Sequence, residues 1–164
     1  MGADESVDRL NAVGVLRRRE IEARVLAPVV EALAREFGRE RVVEIVRDAI
    51  AGIARSQGQA MAAARDDVSL VGFAGTLEPW TRDGAMEMTV HEATPDRLSF
   101  DVTRCRYAEM YRALGIADLG AALSCSRDEA LVEGFAPDIT LTRTGTIMEG
   151  ASCCEFRYVR GALK

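Results

Sequence analysis

The sequence predicts an α+β fold, in which helices pack on one face of an antiparallel sheet. Three features of the apolar pattern indicate this class. Apolar residues recur with a helical period up to about residue 65. They alternate with polar residues over 86–104, as in half-buried strands. Segments with helical and strand patterns then follow in turn to the end of the chain, which is the mixture that an α+β domain requires.

The segment up to about residue 65 is predicted to be a helical hairpin. Pro28 should kink the first helix or mark a late start, and Gly38 separates the two helices. The second helix should end before Asp66 and Asp67. Each helix carries an apolar stripe typical of an amphipathic helix. The stripes are Ile21, Val25, Val29, Leu33 and Phe37 in the first helix, and Val42, Val46, Ala49, Ile53, Ala60 and Ala64 in the second.

A β-hairpin is predicted over 86–93 and 97–104, with a turn at Thr94-Pro95-Asp96-Arg97. Apolar and polar residues alternate over 86–91 and 98–103, which places one face of the hairpin on the core. The apolar positions are Met86, Met88, Val90, Leu98, Phe100 and Val102.

Two helices and two strands are predicted after the hairpin. The helices cover 105–114 and 118–133, and Pro137 prevents further helix. Alternation over 139–144 predicts a third strand. In a final strand, Cys154, Phe156 and Tyr158 share one face and should point inward, whereas Cys153 is expected to be peripheral.

The composition is that of an ordinary globular protein, and one domain is expected over 1–164. The chain is 48% hydrophobic and 29% charged, which excludes collagen-like and largely disordered classes. A net charge of −5 disfavours nucleic acid or an anionic membrane as partner. No apolar run approaches the ~18–20 residues of a membrane helix. Residues 1–10 lack the apolar region of a signal peptide, so a cytoplasmic location is expected.

The reactive side chains are few. Lys164 is the only lysine among 21 basic residues, which removes most lysine chemistry and leaves arginines for an anionic or polar ligand. The only histidine, His91, lies on the polar side of the hairpin, where an exposed or structural role is more common than a catalytic one. In a reducing compartment the four cysteines are expected to be thiols, metal ligands or nucleophiles: Cys105, Cys125, Cys153 and Cys154.

Cys105 is a candidate nucleophile because it lies where a predicted strand changes into a helix. A thiol at a helix N-terminus has a lowered pKa, and Arg104 and Arg106 should lower the pKa of Cys105 further. Glu109 should lie on the same helix face. The alternative is that Cys105 is a small apolar residue of the core.

Cys125 and Asp128 form a second candidate pair, since residues three apart share a helix face. The Asp128 carboxylate disfavours a thiolate unless Arg127 turns inward, but it can transfer a proton or position a water. The alternative is a buried cysteine beside a solvated or capping aspartate.

Metal and nucleotide sites have weak support in the sequence. Three inward cysteines could bind zinc, but no C-x-x-C element is present. The sequence also lacks the Walker A, H-E-x-x-H, G-x-S-x-G and Rossmann glycine patterns. A nucleotide-dependent enzyme is therefore disfavoured, and no cofactor or metal is expected.

Three segments occur together in an order that resembles the L-2-amino-thiazoline-4-carboxylic acid hydrolase family. They are RCRYAEMYRALGI at 104–116, CSRDEALVEGF at 125–135 and PDITLTRTGTIMEGASCCEFRY at 137–158. The resemblance implies catalytic roles for Cys105, Cys125, Asp128 and Cys154. It implies substrate contacts for Arg104, Tyr107, Arg143, Glu149 and Glu155, with Thr146 and Gly150 in the same R-T-x-T-I-M-E-G stretch.

The resemblance implies hydrolytic opening of a small nitrogen heterocycle that bears a carboxylate. A thiolate of Cys105 or Cys125 would attack the ring carbon, Asp128 would handle the proton, and Arg104 or Arg143 would hold the carboxylate. The chain departs from the family pattern with Cys153 in place of histidine and a glutamate at 155 in place of aspartate. Glu129 also stands where an aromatic or apolar residue is expected. These changes bear on the substrate more than on the reaction.

Two other functions are consistent with the sequence. The protein could be a domain without enzymatic activity that binds a small molecule or metal, or senses redox state, through its inward cysteines. Alternatively the cysteines only pack the core, and the N-terminal hairpin mediates interactions. Helix stripes wider than the sheet can cover would favour a homo-oligomer.

Overall fold

A computed structural model of the protein describes residues 13–161 and shows the predicted α+β architecture. Residues 1–10 and Lys164, on which the leader and lysine predictions rest, lie outside the described residues. Within 13–161, no helix is both long enough and apolar enough to cross a membrane.

The N-terminal helical hairpin is confirmed. Helix α1 spans Val15–Phe37 and helix α2 spans Arg39–Ala63. Gly38 joins them with a φ of 82°, a left-handed conformation that glycine adopts without a steric penalty. Pro28 lies inside α1 and does not mark its start. Its exposed position gives water access to the carbonyl group that loses its helical hydrogen bond at a proline.

The apolar stripe predicted for α1 does not face the core. Its five residues are 41% to 66% exposed, and α1 instead buries the adjacent row of Val15, Arg19, Ala23 and Val30. Ala23 is small and fully buried, so this row lets the helix approach its neighbours closely. In α2 the stripe is divided, because Val42 is buried whereas Ile53 is exposed. From the sequence, such uncovered stripes are expected to favour a homo-oligomer, and this oligomer stays a prediction.

The sheet has four antiparallel strands in the order β1-β2-β4-β3. The strands are β1 Met86–Ala93, β2 Arg97–Cys105, β3 Ile139–Thr142 and β4 Cys154–Arg160. The predicted hairpin is therefore confirmed, and β4 lies between its second strand and β3. Phe100 pairs with Phe156 across β2 and β4, and Val102 pairs with Cys154. The third strand ends at Thr142, so that Arg143 leaves the sheet.

Five shorter helices complete the fold. They are α3 Leu70–Ala74, α4 Glu78–Thr81, α5 Arg106–Ala113, α6 Ala117–Gly120 and α7 Arg127–Phe135. The helix predicted over 118–133 is interrupted by a π-helical segment, Ala121–Cys125, between α6 and α7. Helices α3 and α4 were not predicted, since each is about one turn long and carries no periodic pattern. Short 3₁₀ turns occur at Arg82–Gly84 and Ile147–Glu149.

Helix α7 packs against both the sheet and α2. Two glycines set the distance between α2 and α7: a Cβ atom on Gly58 would lie 2.0 Å from the Leu131 carbonyl oxygen, and one on Gly134 would lie 2.0 Å from the Arg55 carbonyl oxygen. Only glycine permits this separation. The crossing fixes the N-terminal end of α7, which carries Asp128, relative to the sheet.

Candidate active site

A cavity of about 80 Å³ lies between the inner face of the sheet and helices α3, α4, α5 and α7. Part of its wall is aromatic, with Phe100 and Phe156 stacked at 4.7 Å between ring centroids. The six aromatic residues of the wall are Phe73, Trp80, Phe100, Tyr107, Phe156 and Tyr158. The polar groups that line the same cavity are Cys105, Ser124, Cys125, Arg127, Asp128, Arg143 and Cys154.

All four residues predicted to be catalytic line this cavity, and each reaches it from a different element. Cys105 ends β2 and is the N-cap of α5. Cys125 ends the π-helical segment, and Asp128 lies in the first turn of α7. Cys154 begins β4 and points inward as expected. The topology therefore brings together thiols that lie 20 and 29 positions apart in the sequence.

Cys105 lies at a helix N-terminus as predicted, but its pKa is raised rather than lowered. Burial is the dominant cause, and the backbone amides of Ala108 and Tyr107 offset only part of it. Arg104 and Arg106, which were expected to lower this pKa, bind other groups. Arg104 binds Glu109 at 2.8 Å and Glu87 at 3.3 Å, and Arg106 donates to the Asp83 carbonyl.

Burial also raises the pKa of the other two cavity thiols. The Asp128 carboxylate adds to the shift of Cys125, since a negative neighbour disfavours the thiolate. The Cys154 sulfur accepts a hydrogen bond from the Ile147 backbone amide at 3.1 Å, which offsets part of the effect of burial on its pKa. All three thiols are therefore neutral near pH 7.

Asp128 and Arg143 form an ion pair at one end of the cavity. Burial raises the pKa of Asp128, and the Arg143 guanidinium counteracts part of this shift. Arg143 also donates to the Cys125 carbonyl oxygen at 3.2 Å and lies 5.2 Å from the centroid of the Phe156 ring. Arg143 is thus held on three sides, and it orients the acid next to a thiol.

Several predicted site residues do not reach the cavity. Arg104 is more than half exposed and paired with glutamates. Glu149 accepts a hydrogen bond from the Thr146 hydroxyl, and Glu155 accepts one from the Thr144 hydroxyl on the outer face of the sheet. The structure therefore gives these three residues local structural contacts away from the cavity, and their substrate contacts stay a prediction. Tyr107 does line the cavity, and its hydroxyl donates to the Trp80 carbonyl at 3.1 Å.

Two further residues lie apart from the cavity. His91 pairs with Asp101 at 2.9 Å on the exposed side of the hairpin. Cys153 precedes β4 and is partly exposed, in agreement with the expectation that it is peripheral. Among residues 13–161, no group of three histidine, cysteine, aspartate or glutamate side chains is arranged to hold a metal ion.

A second set of charged residues, Arg127, Glu22 and Arg19, lies beside the cavity, and its two members from α1 were not predicted. Arg127 turns inward, lines the cavity and is buried, and it shares Glu22 with the buried Arg19 of α1. Arg19 cannot be identified from the sequence, because an Arg–Glu pair three residues apart is typical of an exposed helix surface. Arg127 was expected to matter only if it faced inward, and the structure shows that it does.

The cavity is separated from the surface by one layer of side chains near Arg143. Cys125 and Arg143 line both the cavity and an outer groove of about 500 Å³. Arg47, Asp48 and Glu129 form part of that groove. A small polar molecule in the groove would therefore meet the two residues that border the interior.

Three comparisons relate the chain to known proteins, and the comparison with protein families agrees with the resemblance found in the sequence. No curated protein matches the chain. The solved structures with a matching fold include the phenol-responsive sensory domain of the transcription activator PoxR with phenol. That match has a TM-score of 0.52 and 11% sequence identity, and it covers 83% of this chain and 73% of the other. The family model described as L-2-amino-thiazoline-4-carboxylic acid hydrolase matches residues 18–158. The chain belongs to this hydrolase family.

Proposed function

We propose that the protein is a hydrolase that opens a small nitrogen heterocycle bearing a carboxylate, such as 2-amino-thiazoline-4-carboxylate. The observation that carries this proposal is the convergence of Cys105, Cys125, Cys154 and the Asp128–Arg143 pair on one cavity. Family membership supports the reaction class. The aromatic wall suits a flat ring, and the polar groups suit its ionic substituents.

The proposed reaction begins with attack of a cavity thiol on the ring carbon that lies between two heteroatoms. A carbon–sulfur bond forms, and the thiol proton passes through Asp128 to the ring nitrogen. The bond from that carbon to the protonated ring nitrogen then breaks, and the nitrogen leaves as an amine that stays attached to the rest of the opened ring. Water attacks the covalent intermediate and releases the thiol. The net change is the addition of one water to the substrate, and no oxidant or cofactor is required.

Two thiols meet different requirements of this step. The Cys105 sulfur accepts hydrogen bonds from the backbone amides of Tyr107 and Ala108 at the N-terminus of α5. These hydrogen bonds stabilise a developing thiolate. Cys125 adjoins the Asp128–Arg143 pair, which can take its proton. Both remain candidate nucleophiles, and direct attack by water with Asp128 as base is the alternative if neither is required.

Single serine variants of the cavity cysteines test the covalent mechanism. Replacement of the attacking thiol should lower turnover by at least about 100-fold. Cys153→Ser is the matched control, because Cys153 lies outside the cavity. Intact-protein mass spectrometry of the wild type should also show a covalent adduct. Full turnover by both Cys105→Ser and Cys125→Ser would contradict the covalent mechanism.

A sensory domain that binds a small aromatic molecule is the second candidate function. A small cavity of about 80 Å³ with six aromatic lining residues favours it, since such a wall suits the face of a flat aromatic ring. The fold also matches a sensory domain whose described ligand is phenol. This function predicts saturable binding of an uncharged aromatic compound without any conversion of it, and conversion of a bound ring would contradict it.

A further inference from the structure

An excess of positive charge is buried at the cavity end where α1 meets α7. Arg19 and Arg127 are 6% and 5% exposed, and they share the single carboxylate of Glu22. Arg19 donates to both Glu22 oxygens, at 2.7 and 2.8 Å, whereas Arg127 reaches one of them at 3.3 Å. Burial and the neighbouring Arg19 lower the pKa of Arg127 to about 10, so it is still charged at neutral pH. Two cations therefore face one anion.

Hydrogen-bond donors behind Arg127, on residues that do not themselves line the cavity, are left without partners. Among residues 13–161, Arg19 Nε and the Tyr111 hydroxyl are buried and have no hydrogen-bond partner. Tyr111 packs in the same core cluster as Ala23 of α1 and Leu123, which lie next to these charges. Arg127 Nε donates to the Leu123 carbonyl at 2.8 Å. Buried cationic groups with unpaired donors are costly unless an anion completes the site.

Arg143, the other arginine that lines the cavity, already has an anionic partner. Arg143 is paired with Asp128 and bonded to the Cys125 carbonyl oxygen, so its charge is balanced. The charge of Arg127 is not balanced in this way. Arg127 lines the cavity, and its carboxylate partner, Glu22, is also the partner of Arg19. An anionic ligand entering the cavity would therefore gain more from Arg127 than from Arg143.

We propose that Arg127, reinforced by Arg19, binds the carboxylate of the ligand. This inference rests on the proposed function, which supplies a small heterocyclic carboxylate as the ligand. Arg127 and Asp128 are neighbours at the start of α7 and line the same cavity. A carboxylate on Arg127 leaves the basic ring nitrogen to face Asp128. The ligand class is accordingly a zwitterionic ring compound with an acidic and a basic group.

Fluorescence of Trp80 reports binding separately from turnover. Trp80 is the only tryptophan, it lines the cavity, and the Arg19 guanidinium lies 5.8 Å from its ring. The probes are 2-amino-thiazoline-4-carboxylate and its uncharged 4-carboxamide. In the wild type the carboxylate should bind roughly 10- to 100-fold more tightly than the carboxamide, which is the usual value of a charge-assisted hydrogen bond.

Three variants separate ligand binding from a structural role. Arg127→Met should abolish the preference for the carboxylate and leave carboxamide binding almost unchanged. Glu22→Gln should strengthen carboxylate binding several-fold, because it removes the competing anion. Arg143→Met should retain the preference. The ratio of the two affinities is taken within each variant, so a general loss of folding cannot imitate the result.

Several outcomes would overturn the inference. Equal loss of both ligands in Arg127→Met would show a purely structural arginine, and loss of the preference in Arg143→Met would assign the carboxylate to that residue. If neither probe binds, the protein does not take this class of zwitterionic ring compound, and the inference is wrong. A carboxylate preference without any hydrolysis would support this inference while contradicting the proposed hydrolase, so the two claims fail separately.

Discussion

At the residue scale, burial controls the chemistry of the cavity thiols. The environment that excludes water from Cys105, Cys125 and Cys154 also raises the pKa of each thiol. A thiol below its pKa is neutral, and its thiolate fraction grows tenfold for each unit of pH. These groups therefore depend on a nearby base such as Asp128, or on a bound ligand, to become nucleophiles.

Alkylation rates test this protonation state directly. With iodoacetamide and peptide mapping, the labelling rate of each cavity thiol should rise about tenfold per pH unit from pH 7 to 9 without levelling off. The rise follows because these pKa values are raised above that of an ordinary thiol. A plateau below pH 8 for Cys105 would contradict the account, since it would show the lowered pKa that the sequence suggests.

Replacement of Asp128 tests its role in proton transfer. Asp128→Asn should lower turnover by about 10²- to 10⁴-fold, because the amide cannot accept the thiol proton. Glu129→Gln is the matched control, since Glu129 is exposed and lines only the outer groove. Steady-state kinetics of both variants provide the measurement. Equal activity of Asp128→Asn and the control would exclude Asp128 as the acid or base.

At the scale of elements, local sequence patterns predict the strands better than the helix orientations. The hairpin is predictable because alternation assigns most residues of each strand to one face. A register shift between Val90 and Glu92 breaks the pattern in β1, and Val90 is 53% exposed although the alternation predicts that it faces the core. Helix α1 is different, since two adjacent rows both follow a helical spacing, of four residues in one row and of four and seven in the other. The sequence favours the more apolar row, but the structure buries the row that contains Ala23, which permits close packing.

The crossing of α2 and α7 provides a test of the packing. Gly134→Ala and Gly58→Ala should each destabilise the protein by about 3 kcal/mol or more, because the added Cβ atom would overlap a backbone oxygen. Gly52→Ala is the control in α2, where open space surrounds the added methyl group. It should stabilise the helix by about 0.5–1 kcal/mol. Urea unfolding measures all three, and similar stabilities for Gly52→Ala and Gly134→Ala would contradict the close crossing.

At the scale of the whole molecule, the sheet order and the helix crossings assemble the site. The thiols and Asp128 are recognisable as candidates from their positions beside strand and helix ends. Their convergence depends on β4 pairing with β2, which no local pattern specifies. The same holds for Arg19, which lies more than 100 positions from Arg127 and meets it only through Glu22.

Ring opening by the whole protein can be followed by mass spectrometry of 2-amino-thiazoline-4-carboxylate, incubated with the purified protein at a concentration that saturates the Trp80 signal. A hydrolase should form a product heavier by one water, over many turnovers with the wild type and Cys153→Ser, and about 10²- to 10⁴-fold more slowly with Asp128→Asn. Saturable binding with no change in the mass of the ligand would contradict the hydrolase and favour a sensory domain.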